Sequence, residues 1–387
     1  MDKQKIGIIT ILKCYNYGAE LQAMALANFL QEQGYNVQII DYLFYKNLRH
    51  IYSDTDYSIE GFDRVKRLKN ILKFRLANAI LEYVIPIFSR NQRNRHKRFQ
   101  RFHQDYTPMS KEYRSMDELY CEELGYDTYI VGSDCVWCYY TEASIEPYFL
   151  TFAPQNKNRI SYASSFGVSA IPEQLKPKYK ELLNNIKTIS VREGQGINLV
   201  REITGREAKL VLDPTLLMDK VSWRPFLNYN LCIPVQQYVL VYQLYPSQQL
   251  ISIAQKMANA LRIPVWCLCK RAIKNPSYNG VKNIQDAGPS EFMSYIKNAK
   301  CVVTDSFHGT AFSVNFNVDF YTVLSNQRKD NSRMESFLDM LNLQSRIVWL
   351  ENNSNINYTP IDFTHANKIL EEERVKSVEY LINAIEG

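Results

Sequence analysis

The sequence predicts a soluble α/β protein of two lobes, and three observations carry that prediction. At 387 residues the chain is too long for one ordinary core, so two domains are expected. The run Ile6-Gly7-Ile8-Ile9-Thr10-Ile11-Leu12 is almost wholly apolar, as in a strand buried on both faces of a parallel sheet. A turn, a helix and a second strand follow it. The same alternation starts again at Tyr238, which is how doubly wound sheets are built.

In the first lobe Asn16-Tyr17-Gly18 makes the turn. Residues 19–33 then read as a helix, with Leu21, Ala25, Leu26 and Phe29 near one face and Gly34 as its end. Residues 37–40 form the next strand. The segment from Tyr42 to Tyr106 breaks the rhythm. Residues 63–102 read as helix, with Val65, Leu68, Ile71, Leu72 and Leu76 at near-helical spacing and Pro86 interrupting the pattern. Strands resume at 128–131, 159–163, 188–191 and 209–212, with helices over 173–185 and from Gly194. The second lobe places strands at 238–242, 264–268, 301–304 and 318–323. Its helices cover 247–261, 289–299 with Ser290 as cap, and 309–315, and terminal helices follow at 333–341 and 367–385. The expected domains are 1–220, with a basic helical insertion over about 42–106, and 235–387.

Composition narrows the function classes. The chain is 46% hydrophobic and 22% charged, so it has apolar material for two cores and no signature of disorder. The net charge of +6 is too small for a chain that binds nucleic acid along its surface, and much of the excess lies between Arg64 and Arg101. The 27 tyrosines suit a sugar-facing surface, a lipid headgroup or simply the core. No signal-peptide pattern opens the sequence and no apolar run reaches about 18 residues, so a cytoplasmic location without a spanning helix is expected. Cys135-Val136-Trp137-Cys138 and Cys267-Leu268-Cys269 have no second pair or histidine at zinc-site spacing. Reduced cysteines and no metal are expected.

Five polar turns follow strands: Asn16-Tyr17-Gly18, Gly132-Ser133-Asp134, Ser164-Ser165-Phe166-Gly167, Arg192-Glu193 and Asp305-Ser306-Phe307-His308-Gly309. Ligands of open α/β sheets bind at such strand ends. An imidazole at His308 suits proton transfer near neutral pH, and the helix start behind it suits an anion; a packed, turn-capping histidine is the alternative. Arg192 suits a carboxylate or phosphate, or else an ion pair with Glu193 or another carboxylate. Arg333 and Arg328 are weaker anion candidates, and a solvated surface suits Arg328 better. Asp134 and Asp305 suit orienting His308, holding sugar hydroxyls or acting as bases, and equally suit helix caps. Gly18 suits a ligand-receiving loop or only a tight turn. Asp213-Pro214 reads as structural. The basic segment 63–102 fits an anionic membrane surface, with Leu72, Leu76, Ile80 and Phe88 facing lipid, and fits a solvated amphipathic face as well.

Taken in order, these segments resemble the polysaccharide pyruvyl transferase family. The matching pieces begin with Asn16-Tyr17-Gly18-Ala19-Glu20-Leu21-Gln22-Ala23, Val131-Gly132-Ser133-Asp134-Cys135-Val136-Trp137 and Ser161-Tyr162-Ala163-Ser164-Ser165-Phe166-Gly167. They continue with Val191-Arg192-Glu193, Asp213-Pro214-Thr215-Leu216-Leu217 and Thr304-Asp305-Ser306-Phe307-His308-Gly309-Thr310. The resemblance implies two Rossmann-like domains facing a cleft, similar to GT-B glycosyltransferases. It also implies transfer of pyruvate from phosphoenolpyruvate onto two hydroxyls of one sugar, as a cyclic ketal, in the synthesis of a capsule or exopolysaccharide. His308 would be the acid/base, with Asp134 and Asp305 beside it in the chemistry. Arg192, Ser306, Gly309 and Arg333 would hold the donor. Asn16, Tyr17, Gly18, Glu20, Ser133 and Ser165 would hold a nucleotide- or lipid-linked acceptor. No cofactor is implied beyond phosphoenolpyruvate as donor, and the inner face of the membrane is a second expected location.

Two positions depart from the family pattern. Ser306 stands where many members carry arginine, in a Ser-Arg-Leu-His pattern, so the positive charge must come from Arg192, Arg333 or Lys329. Cys135 stands where glutamine is common. Two other classes stay open: a glycosyltransferase of the same architecture using a nucleotide sugar, and a sugar- or membrane-binding assembly module without chemistry.

Overall fold

The computed structural model describes residues 3–43, 47–51, 69, 72–73, 75–77, 79–139, 145–231, 237–269, 278–328, 331–352 and 358–387. The chain forms two compact units, residues 1–88 with 103–217 and 375–387, and residues 89–102 with 218–374.

The first unit is built on five parallel strands. These are β1 (Lys5–Ile9), β2 (Asn36–Tyr42), β3 (Met109–Tyr113), β4 (Thr128–Val131) and β5 (Asn158–Ser161), in the order β3-β2-β1-β4-β5. Single bridges tie β5 and Ser164 to a parallel pair, β6 (Ser190–Val191) and β7 (Lys209–Leu210). Every residue of β4 is buried, as its run of Thr, Tyr, Ile and Val requires of a central parallel strand. Helix α1 (Tyr17–Glu32) buries most of its length, its small and apolar residues together with Glu20 and Gln22, and Gly34 at φ 94° turns the chain away after it. Helix α2 (Arg90–Tyr106), whose residues up to Phe102 count with the second unit, buries Gln92, Arg95, Phe99 and Phe102, one face at spacings of three and four. Ser115 caps α3 (Met116–Tyr120) by accepting from the Glu118 amide. Helices α4 (Lys176–Leu183) and α5 (Gly194–Thr204) follow.

The second unit has six parallel strands: β8 (Val239–Gln243), β9 (Val265–Cys269), β10 (Val281–Ile284), β11 (Cys301–Thr304), β12 (Asp319–Leu324) and β13 (Ile347–Trp349). Their order is β10-β9-β8-β11-β12-β13. Its helices are α6 (Gln248–Leu261), α7 (Pro289–Lys297), α8 (Phe307–Asn315), α9 (Ser332–Met340) and α10 (Thr364–Glu386), whose last part returns to the first unit. Both sheets reverse strand order at an adjacent pair, β1/β4 in one and β8/β11 in the other. Ligands of such sheets bind beyond the carboxyl ends at these points.

Three sequence expectations change. Residues 375–387 belong to the first unit, because Leu381, Ala384 and Ile385 pack with Ile6, Ile8, Ile130 and Ile160, and Ser377 Oγ accepts the Leu212 amide at 2.9 Å. Residues 89–102 count with the second unit, where Arg95 donates to Ala287 O at 3.0 Å and Arg98 pairs with Asp286 at 3.0 Å and Glu291 at 3.4 Å. Ser290 does not cap α7. Glu291 reaches back instead to the Gly288 amide at 2.9 Å. Among the described residues no helix is long and apolar enough to cross a membrane. Residues 63–68, with Val65 and Leu68, and Ile71 and Lys329 lie outside the described residues.

Candidate functional site

In the first unit the turns after β1, β4 and β5 hold four non-glycine residues at positive φ: Lys13 (54°), Tyr15 (52°), Asp134 (72°) and Ala163 (53°). Left-handed backbone costs an L-residue about 1 kcal/mol or more, and such strain collects at functional turns.

Arg192, one residue past β6, ties the turn after β4 to Asp213, beyond β7. Its Nη1 donates to Asp213 Oδ2 at 2.7 Å and Ser133 Oγ at 3.2 Å, and its Nη2 donates to Asp134 Oδ1 at 3.3 Å. Ser133 Oγ donates to the same Asp213 oxygen at 2.9 Å, and Glu193 lies 3.8 Å from Arg192 Nε. Burial opposes the guanidinium charge, yet Asp213, Asp134 and Glu193 outweigh it and hold the pKa above its ordinary value. The arginine side chain has no exposed surface. Arg192 is thus held in an ion pair, with Asp213 as its chief partner. Asp134 Oδ1 serves this arginine.

Ser133 and Ser165 belong to the same buried polar network. Both are buried, and Ser165 Oγ donates to Glu193 Oε1 at 2.8 Å while accepting from the Gly167 amide at 3.1 Å. Their hydroxyls brace the turns from within. Tyr17 and Gly18 are buried in the first turn of α1, so the tyrosine ring is core. Asn16 stays half-exposed at the N-cap, and its side chain makes no cap hydrogen bond. Glu20 is buried, with Oε2 3.1 Å from His103 Nε2. Desolvation lowers the His103 pKa, but the Glu20 carboxylate raises it more, and the net direction is upward. Lys13 pairs with Asp41 and with Glu112 beside them.

The second unit organises its own switch point around Asp305. Oδ1 accepts the Leu244 amide at 2.6 Å, just past β8, and Oδ2 accepts Arg328 Nη1 at 3.0 Å, from the loop after β12. Arg328 also lies over the Tyr245 ring, 4.9 Å from its centroid. Burial pushes the Asp305 carboxyl up, more than Arg328 and the Leu244 and Tyr245 amides bring it down. The two oxygens of Asp305 thus serve Leu244 and Arg328. Arg328 is a partner in this cluster and not a solvated surface residue.

His308 sits in the first turn of α8, buried, with its ring edge-on to Phe307 at 5.3 Å between centroids. Ser306 caps that helix, Oγ accepting the Gly309 amide at 3.3 Å. That bond commits the Gly309 N–H expected to face a donor. Glycine is needed there for another reason: a Cβ would lie 2.5 Å from Thr304 Oγ1 and 3.0 Å from Tyr242 Cδ1. Arg333 is half-buried near the start of α9.

Sequence reasoning missed His103 and the Asp305–Arg328 pair. Their partners stand 83 and 23 positions away, and no local pattern reports such a distance.

No curated protein sequence matches the chain. Among solved structures, UDP-N-acetylglucosamine 2-epimerase from Rickettsia bellii aligns at 9% identity and TM-score 0.44, over 99% of this chain and 98% of the other. The Methanocaldococcus jannaschii UDP-GlcNAc 2-epimerase in complex with UDP-GlcNAc and UDP aligns at 12% identity and TM-score 0.46, over 98% and 93%. A spinosyn rhamnosyltransferase aligns at 8% identity and TM-score 0.41, over 98% and 92%. The family model described as polysaccharide pyruvyl transferase matches residues 16–328, from the turn before α1 to the arginine on Asp305. The chain belongs to the polysaccharide pyruvyl transferase family.

Proposed function

We propose that this transferase moves pyruvate from phosphoenolpyruvate onto two hydroxyls of one sugar, forming a cyclic ketal during cell-surface polysaccharide synthesis. The observation that carries the reading, beside family membership, is the Thr304–Thr310 turn, which sets His308 in the first turn of α8 at the switch point of its sheet. The proton balance defines what the histidine has to do. The donor's methylene becomes a methyl by gaining one proton, C2 loses its bond to the phosphate oxygen, and C2 gains bonds to two sugar oxygens. The two hydroxyls release two protons, one matching the proton taken up by the methyl and one leaving with phosphate. His308 as imidazolium delivers the proton to carbon, and as imidazole it recovers one from a hydroxyl. Asn16 and Asp134 are the acceptor contacts that the first unit favours, because both retain surface.

Incubating the purified chain with phosphoenolpyruvate and a panel of nucleotide- and lipid-linked sugars is expected to release phosphate and add one pyruvate ketal by mass spectrometry. His308→Gln is expected to lower kcat by about a hundredfold or more while the protein stays folded. An unchanged kcat in that variant would remove His308 from the chemistry, and no donor consumption across the panel would remove the reaction.

We also propose a peripheral place of action at the inner face of the membrane, where a lipid-linked acceptor would be met. Supporting it, Leu72, Leu76, Ile80, Tyr83, Val84, Ile87 and Phe88 are all exposed, Phe88 at 85%, and exposed Lys69 and Lys73 lie among them. These side chains recur at spacings of three and four along a segment that includes a π-helical turn at Ile80–Val84.

A further inference from the structure

We propose that Arg328 is the residue that grips the anionic donor in the second unit, taking its carboxylate or phosphate oxygens; this rests on the reading that phosphoenolpyruvate is the donor. Three neighbouring strand ends converge on one carboxylate. Asp305 follows β11, takes the Leu244 amide at the end of β8, and takes Arg328 from the loop after β12. This is the sheet's switch point, where α/β folds place ligands.

The guanidinium is fixed in orientation as well as in place. Asp305 anchors it from below, with a side chain 8% exposed against 19% for Arg328, so the cation lies outward of its own counter-charge. The Tyr245 ring, 62% exposed, stacks against it and settles its plane. A planar fork held from two sides loses little freedom when it binds an oxyanion, whereas a lysine there would be a flexible point charge. His308 and the Ser306 cap belong to the same seven-residue turn as the anchor, so cation and imidazole are referenced to one rigid element.

The test uses the full chain and the variants Arg328→Lys and Arg328→Gln. Each is titrated with phosphoenolpyruvate and with inorganic phosphate by calorimetry, and each is assayed for phosphate release with the acceptor panel. Arg328→Lys keeps a charge for Asp305, so a merely structural clamp would be rescued by it. The expected result is unaltered circular dichroism and a loss of phosphoenolpyruvate affinity of about tenfold or more in both variants. KM for the donor should rise to match, with kcat changed far less. Affinity and KM as in the unsubstituted chain would overturn the proposal. So would loss of fold in both variants, which would make the arginine a clamp, and so would absence of any binding of either anion by the unsubstituted chain. Arg328-dependent binding without ketal formation would keep the inference and sink the reaction. Ketal formation with donor KM indifferent to Arg328→Lys would do the reverse.

Discussion

Glu20 and His103 meet where a buried carboxylate would otherwise be stranded. The imidazole supplies a counter-charge only when protonated, so the pair couples stability to pH. The folded-state pKa of His103 is raised above its unfolded value of about 6.5. Its contribution is therefore complete below about pH 6.5 and is lost as pH rises through the folded value. Thermal melts across pH 6 to 9 should show a decline in Tm that Glu20→Gln flattens. An identical slope in the variant would mean that the pair carries no linkage. Single residues were legible to the extent that their role is local. His308 is visible as a histidine between a strand and a helix, and the structure keeps it in that turn. Arg192 was visible as an arginine after a strand, but whether it faces a ligand or Asp213 depends on chain 21 residues further on. For the charge missing at Ser306 the sequence offers Arg192, Arg333 or Lys329, whereas the geometry brings Arg328 to the turn, because only a contact through Asp305 distinguishes it.

At the level of elements, the β11–α8 junction depends on a close fit that glycine makes possible. Gly309→Ala would drive a methyl into Thr304 Oγ1 and the Tyr242 ring, and Thr304 cannot swing away without breaking its 2.7 Å bond to Tyr242 O. Overpacking of this kind costs about 1–3 kcal/mol, so the urea midpoint should fall with an unchanged m-value. A midpoint equal to that of the unsubstituted chain would show that the junction can relax. The central strands β1, β4, β8 and β11 were legible because strands buried on both faces read as unbroken apolar runs. The edges were not. β3 is Met-Ser-Lys-Glu-Tyr, β10 is Val-Lys-Asn-Ile and β13 has three residues, and each owes its place to a neighbour's backbone more than to its own pattern.

For the whole molecule, the exposed stripe between Leu72 and Phe88 sets an expectation about where the chain works. Cosedimentation should show binding to vesicles containing anionic lipid that weakens as salt rises, and Leu76→Glu with Phe88→Glu should abolish it. Equal partitioning to neutral and anionic vesicles would refute the electrostatic part, and concentration-dependent dimerisation through the stripe would assign it to a second copy. The two-lobed plan and the order of polar turns were readable from end to end, since each strand and turn is a local pattern. The return of α10 to the first unit was not, because an amphipathic helix records that it needs a cover and not which sheet provides one.

That return sets a schedule for synthesis. The core formed by Ile6, Ile8, Ile130 and Ile160 includes Leu381, Ala384 and Ile385. A ribosome that has made almost the whole chain has therefore not yet released the side chains that complete the lobe it began with. Residues 218–374 are all available before then, so the lobe begun second is the first to have its full complement of chain, while the earlier one waits with apolar surface still open to chaperones.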